Sequence, residues 1–383
     1  MRSFAYAIRG FLLLAIMTTC GSSFAEDTPR ATGDRHTEAG DLVRQLGDEQ
    51  FSVRERATTR LIQMGISARK ALEMGRNHAD REIRYRCERI LSIVGELDFE
   101  HRLDAFAACR SDGDDLPAWG LFRERFGDDS QSRALFVRMQ EAEADLLRAV
   151  AEGPQGISRA VDQRCIVLQQ TQRIDGEPVT LGGITALLFA ASEQDASLGM
   201  EATMVLCTLC RQPTMADAMK DPSKREILAQ MMSRWIEPSQ GWAAYQTLFL
   251  SMKYDLKEGL KPALALLENP GEQPYARQQA ILAVAKLGDQ SHAERLEALL
   301  DDSSRCNAHR VNNVTFETQI RDVALVAILK LRKQDPKQFG FRRIQEDSAT
   351  VFTISTVGFE SEERRKQVFD KYHQFLADQR NAD

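Results

Sequence analysis

The feature that most constrains this chain is a pattern that returns after 30 residues. The stretch SVRERATTRLIQMG (52–65) is followed by EIRYRCERILSIVG (82–95), in which arginine, leucine and glycine stand at matching places. Apolar or small residues recur every three or four positions in both copies, which puts them on one stripe of a helix. A helix with a single apolar stripe needs a neighbour to cover it, so the pattern predicts an array of packed helices.

Two further copies near the other end of the chain fit the same template. They are YARQQAILAVAKLG (275–288) and QIRDVALVAILKL (319–331). One arginine keeps its place in all four copies: Arg54, Arg84, Arg277 and Arg321. We expect these arginines to be structural and to bond to loop carbonyls or to acidic residues of the adjacent repeat. A cationic stripe that binds an anionic partner is the alternative.

The glycines and aspartates around the copies predict where the helices end and begin. Gly65, Gly95 and Gly288 suit helix ends with a left-handed backbone. Asp48 and Asp80 precede two of the copies and suit turn or N-cap roles. Shorter helical segments precede each copy, so the predicted unit is a helix, a turn and a second helix.

VRERATTRLIQMG, IRYRCERILSIVG, ARQQAILAVAKLG and IRDVALVAILKL resemble the second helices of HEAT repeats, especially the short form also seen in bilin-lyase-like proteins. The resemblance covers roughly 41–95 and 258–333, about a third of the chain. It implies a curved α-solenoid whose second helices line a concave side that binds other proteins.

The rest of the chain also favours helices. Segments between 116 and 256 carry helical periodicity, broken by prolines and glycines, and predict degenerate repeats, with an inserted helical domain as the alternative. Strand signals are almost absent, apart from ATVFTISTVGF (349–359), after which Ser361 is expected to cap a closing amphipathic helix. The predicted fold class is all-α: an α-solenoid of HEAT-like helical hairpins with a degenerate middle and a C-terminal capping helix.

The first 25 residues have the features of an export signal. Arg2 and Arg9 precede a short apolar run at 11–17, and small residues precede a cleavage site near Ala25. We therefore expect a periplasmic or extracellular protein without a transmembrane segment. A lipid tether through Cys20 is the less favoured alternative. The predicted organisation is a signal peptide (1–25), a flexible linker (26–40), N-terminal HEAT-like repeats (41–110), irregular helical repeats (111–256), C-terminal HEAT-like repeats (257–340), and an extended link with a capping helix (341–383).

The cysteines and histidines show no pattern that names a reaction. Cys207 and Cys210 form a CxxC well inside a helical pattern, so we expect core packing in place of redox or metal chemistry. Cys306 and His309 form a CxxH pair without the further ligands that a metal site needs. We expect no cofactor and no metal.

Two groups of residues are candidates for binding a partner. Trp235, Trp242 and Tyr245 form an aromatic set, which we expect to pack in an inter-repeat core, with a partner-binding patch as the alternative. The second group, Arg305, His309 and Arg310, lies in the long polar stretch 301–318, which we expect to be a flexible insertion, with a functional loop as the alternative.

A net charge of −6 argues against a nucleic-acid partner, because neutralising phosphates requires a dominant basic surface. The sequence favours a protein-binding or scaffolding module without catalytic activity. The alternative is a helical-repeat enzyme or cofactor-handling protein, similar to a lyase, with a cleft in the middle region.

Overall fold

The computed structural model describes residues 32–176, 178–193 and 198–380. The described chain is mostly helical, which confirms the all-α class. It divides into two compact units, with the boundary between Asp104 and Ala105. The predicted signal peptide and Cys20 lie outside the described residues. Within the described part, no helix combines the length and apolar character that a bilayer crossing requires.

Unit 1 is built from helices α1 (Thr32–Gln45), α2 (Phe51–Met64), α3 (Arg69–Gly75) and the greater part of α4 (Arg81–Ala107). Helix α1 begins inside the segment 26–40, which the sequence suggested as a linker. The core contains the small residues of the repeat, Ala57 and Cys87, together with Leu61 and Ile90. The predicted apolar stripes are therefore the surfaces that pack together.

The glycines of unit 1 only partly follow the prediction. Gly65 ends α2 with φ of 57°, as expected. Gly95, however, lies inside α4 and ends no helix, so that expectation was wrong. Gly75 matters for another reason: a Cβ there would lie 2.5 Å from the Sγ of Cys87, so only glycine permits this approach of α3 to α4.

Unit 2 contains the remaining helices and four short strands. Its helices are α5 (Trp119–Phe126), α6 (Ser130–Glu152), α7 (Pro154–Asp175), α8 (Leu181–Ala191), α9 (Met200–Arg211), α10 (Pro213–Ala218), α11 (Pro222–Ile236), α12 (Gly241–Tyr254), α13 (Leu260–Glu268), α14 (Pro274–Leu287), α15 (Ala293–Glu297), α16 (Ile320–Leu331), α17 (Pro336–Phe339) and α18 (Glu362–Arg380). Its strands are β1 (Arg305–Val311), β2 (Val314–Gln319), β3 (Glu346–Asp347) and β4 (Val351–Phe352).

Helix α8 is buried along almost its whole length. Every residue from Gly182 to Ala191 is buried, so neighbouring elements surround the helix on all sides. A Cβ at Gly182 would lie 2.1 Å from the carbonyl oxygen of Arg138, which shows how closely α8 approaches α6. The Gly182–Gly183 pair thus serves helix packing in the first turn of α8.

Helix α16, which contains the last copy of the sequence pattern, has no exposed residue. Its apolar side chains belong to one core with those of α14, β4 and α18. The resemblance to HEAT repeats implies that such a helix lines a binding face, and α16 cannot do so because it is covered. Helix α14 ends at Leu287 as expected, although Gly288 is extended (φ −79°, ψ −174°) and not left-handed.

The polar stretch 301–318 is not a flexible insertion. Residues Arg305–Val311 and Val314–Gln319 form an antiparallel β-hairpin, β1–β2. The segment 349–359 contributes the short strand β4, which pairs with β3. Beyond it, the Ser361 hydroxyl accepts a hydrogen bond from the backbone N–H of Arg364 at the start of α18, as the capping pattern predicts.

Candidate functional site

The arginines that recur in unit 1 bind the turn before their own helix. Arg54 donates through Nη1 to the carbonyl oxygens of Asp48 (2.7 Å) and Glu49 (3.0 Å). Arg84 repeats this geometry with the carbonyls six and five residues before it, at 2.7 and 2.8 Å. The two guanidinium groups thus hold equivalent turns, as the expected structural role requires.

The arginines of the two C-terminal copies use acidic partners as well. Arg277 donates to the carbonyl of Pro270 and, through Nη1, to Asp302 Oδ2 at 2.7 Å. Arg321 donates to Glu362 Oε2 at 2.8 Å and thereby contacts the start of α18. Each arginine has a partner inside the fold, so they do not form an unpaired cationic stripe.

A fifth arginine of this kind, Arg225 in α11, was missed by the sequence analysis. Its guanidinium donates to the carbonyl of Met219, six residues earlier, and to that of Tyr254. Buried apolar residues follow at the spacing of the template, with Leu228 in the place of Ala57. The match is not evident in the sequence, because two positions of the template differ. Lys224 stands where the other copies have an apolar or small residue, and the large Leu228 stands where they have a small one.

The aromatic set does not form one exposed patch. Trp235 is only 6% exposed and packs in the core, so it is unavailable to a partner. Trp242 and Tyr245 on α12 are half-buried. Tyr245 makes an edge-to-face contact with Tyr275, whose ring centroid is 5.1 Å away. Tyr275 is 51% exposed and is the most accessible member of this group.

The other three candidate residues, Arg305, His309 and Arg310, all lie on strand β1. The hairpin turns at Asn312 and Asn313, both with positive φ (47° and 66°), as a type I′ turn requires. Every residue from 308 to 315 is exposed, so the outer half of the hairpin projects into solvent. His309, Val311, Val314 and Phe316 share one face, and Ala308 and Arg310 share the other.

The inner half of the hairpin is firmly attached to unit 2. Glu317 exchanges two backbone hydrogen bonds with Phe359, at 2.9 and 3.0 Å. A Cβ at Gly358 would lie 2.7 Å from the carbonyl oxygen of Glu317, so glycine is needed for this approach. The guanidinium of Arg343 lies 3.6 Å from the centroid of the Phe316 ring, a cation–π contact.

A buried ion pair lies behind the end of the hairpin. Asp322 in α16 is fully buried, and its Oδ1 accepts a hydrogen bond from Arg365 Nε at 2.8 Å. Arg365 also donates to the carbonyl of Glu317 at 2.9 Å, which connects α18 to strand β2. Burial raises the pKa of Asp322 to about 6, and the Arg365 guanidinium opposes the rise.

Five of the six described thiols are poor nucleophiles because they are buried or half-buried, and the sixth, Cys109, is exposed. Burial raises the pKa of Cys87 to about 11 and the pKa of Cys165, Cys207 and Cys306 to about 12. Cys210 is fully buried, and its pKa is raised for the same reason. The CxxC therefore packs in the core, and all six described cysteines are free thiols.

A cleft of about 560 Å³ lies between α11 and the turn after α12. Some of its polar groups bond within the fold: Ser233 donates to Glu258, and Lys257 donates to the carbonyl of Leu287. The Nε of Arg234, in contrast, is buried without a hydrogen-bond partner among the described residues. Its lining includes carboxylates but neither histidine nor cysteine. Across the described ranges, no three His, Cys, Asp or Glu side chains gather where they could hold a metal ion. These features give the cleft no recognisable set of reacting groups.

No protein-family model matches this chain, and no curated protein matches it. The projecting hairpin is the candidate functional site because its outer half is exposed and its inner half is attached to unit 2.

Proposed function

We propose that this protein is an exported helical-repeat protein that binds another protein and scaffolds it, without catalysing a reaction. The carrying observation is the β1–β2 hairpin, whose inner half is bonded to Phe359 and Arg365 and whose outer half is exposed. Attachment of the inner half fixes where the arm stands before binding, and pre-organisation of this kind lowers the entropy lost on association.

The helix pairs are proposed to be HEAT-like repeats of an α-solenoid. Support comes from the arginines at positions 54, 84 and 225, which hold the turn six residues before them. The spacing of buried residues after each arginine adds to this argument. Because α16 is covered, the proposed contact surface is the hairpin and not a face lined by the last second helix.

Export is proposed from the N-terminal pattern of charge and apolar residues alone. Expression of the full chain in a bacterial host with a periplasm, followed by intact mass measurement, tests it. We expect a periplasmic product that begins at Glu26. A cytoplasmic product that retains Met1, or a lipidated product that begins at Cys20, would contradict cleavage after Ala25.

Binding is tested by affinity capture with residues 26–383 from the envelope fraction of the source cells. The test variant His309→Glu/Arg310→Glu reverses the charge of the exposed hairpin tip. The control variant Lys371→Glu/His373→Glu makes the same chemical change on exposed residues of α18. We expect a defined partner to be captured by the wild type and the control, with at least tenfold less captured by the tip variant. Equal capture by all three proteins, or no specific capture, would refute the proposal.

A further inference from the structure

The outer edge of strand β1 has backbone groups that no other strand uses. In a hairpin with a two-residue turn, the residues that flank the turn, here Val311 and Val314, exchange two hydrogen bonds. Hydrogen-bonded and non-hydrogen-bonded pairs then alternate, so the pairs that contain Arg310 and Ala308 are not hydrogen-bonded across the hairpin. Ala308 and Arg310 therefore direct their N–H and C=O groups away from β2. Glu317, the partner of Ala308, directs its own groups outward in the same way and bonds to Phe359, which supports this alternation.

The edge is open to an incoming strand over this outer half. Ala308 and Arg310 are both exposed. Among the described residues, no backbone hydrogen bond joins either of them to a part of the chain other than β2. Two residues with outward groups provide up to about four hydrogen bonds to an added strand, which is the way β-strand addition binds extended peptides.

Charge decides which strand fits. Arg310 makes the outer half of the edge strand cationic, whereas Arg305 lies 3.9 Å from Glu317, the one acidic residue of the hairpin. If two copies of β1 paired edge to edge, both copies of Arg310 would lie on one face of the joined sheet, where like charges repel. An acidic strand has no such penalty. A second copy of this chain is therefore the less suitable occupant.

The two faces of the hairpin specify an alternating pattern. The face of Arg310 favours acidic side chains opposite it, and small Ala308 leaves room beside them. The opposite face has Val311, 36% exposed, and Val314, 44% exposed, beside His309. An apolar side chain on the incoming strand would cover these valines.

We infer that strand β1 binds, by β-strand addition at Ala308 and Arg310, an extended segment of a partner protein in which acidic and apolar residues alternate. This inference rests on the proposed binding function and specifies the chemistry of the partner. In this interaction, the face of Arg310 provides the specificity, and the outward backbone groups of Ala308 and Arg310 provide the affinity.

The test uses residues 26–383 and a fluorescent peptide of sequence Glu-Val-Glu-Val-Glu-Val-Glu, with binding measured by anisotropy. Ala308→Pro removes an outward N–H without removing a bond to β2. Thr315→Pro is the matched control, because Thr315 pairs with Arg310 and directs its N–H to the other edge of the hairpin. We expect Ala308→Pro to weaken binding at least tenfold and Thr315→Pro to change it less than twofold. Arg310→Glu should reverse the preference in favour of the peptide with lysine in place of glutamate.

Several results would overturn the inference. Absence of saturable peptide binding would do so, and so would equal binding of the acidic and the lysine peptides. A dimer in sedimentation that Ala308→Pro dissociates would identify a second copy as the occupant. If the wild type and Ala308→Pro capture the same cellular partner equally, the strand-addition inference fails while the proposed binding function stands. If the wild type captures no partner, the proposed function itself fails.

Discussion

At the scale of single residues, the recurring arginines are the best test of the repeat. Arg84 donates through Nη1 to two carbonyls of the turn before α4, and its positive charge strengthens both hydrogen bonds. We expect Arg84→Gln to lower the free energy of unfolding of unit 1 by about 1–3 kcal/mol. Arg89→Gln, on an exposed position of the same helix, should change it by less than about 0.5 kcal/mol. Hydrogen exchange of the α2 and α4 amides measures both, and similar protection in the two variants would contradict the role of Arg84.

The buried Asp322 predicts a dependence of stability on pH. Because its folded-state pKa of about 6 lies above the ordinary aspartate value of about 4, the folded chain retains a proton that the unfolded chain releases in this interval. The stability contributed by this group is therefore complete below about pH 4 and is lost as the pH rises through 6. We expect this slope, at most about 1.4 kcal/mol per pH unit, to disappear in Asp322→Asn. Urea unfolding followed by tryptophan fluorescence measures it, and an unchanged slope would count against a raised pKa.

Loss of Arg365, the partner of Asp322, should destabilise the fold more than deprotonation of the Asp322 carboxyl does. Arg365→Met leaves a buried carboxylate without its cation, and we expect a loss of about 3–5 kcal/mol at pH 7. The loss should be smaller at pH 5, because the protonated carboxyl needs no counter-charge. Arg364→Met, one residue earlier in α18, is the control, since the Arg364 side chain donates to Gln367 on the same helix. Equal destabilisation at the two pH values would show that Arg365 acts through packing alone.

At the scale of elements, α8 shows a constraint that the sequence pattern did not reveal. Gly182→Ala places a methyl group against the carbonyl of Arg138, and we expect a loss of about 2–4 kcal/mol or failure to fold. Gly120→Ala, in α5, meets open space and should stabilise the chain by up to about 1 kcal/mol. Thermal unfolding of the two variants should therefore show shifts of opposite sign. A Gly182→Ala variant as stable as the wild type would contradict the close approach of α6 and α8.

The hairpin was the element that sequence analysis missed, and the reason is physical. A strand that projects into solvent has no buried face, so the apolar alternation that identifies strands is weak in 305–311. The signals that do exist are Asn312–Asn313, which suits a type I′ turn, and the β-favouring VTF that follows it. The favoured interpretation of the polar stretch was a flexible insertion, and it was wrong because the hairpin structure depends on distant contacts with Phe359 and Arg343.

At the scale of the whole molecule, the buried thiols predict a simple labelling result. Of the six described cysteines, only Cys109 is exposed. With residues 26–383 at pH 8, we expect one thiol to react rapidly with a maleimide and the other five only after unfolding. Cys109→Ser should remove the rapid reaction. Rapid labelling of Cys207 or Cys210 would contradict their place in the core.

The sequence predicted the helical class and the places of the repeated arginines, because periodicity and turn chemistry are local. It could not predict that α16 would be covered, since the covering elements are distant from α16 in the chain. For the same reason, the sequence could not tell which candidate residues are accessible. Arg305, His309 and Arg310 are exposed on strand β1, whereas Trp235 is buried. Aromatic residues in a helical pattern do not indicate whether they face solvent or core.

The central claim is that the hairpin tip is where a partner binds, and site-specific photocrosslinking in the source cells tests it most directly. A photoreactive amino acid replaces His309 at the tip in one variant and exposed Gln374 on α18 in the other. We predict that the tip variant forms one dominant crosslinked product with another protein and that the Gln374 variant does not. Equal crosslinking from both positions, or none from residue 309, would contradict the account.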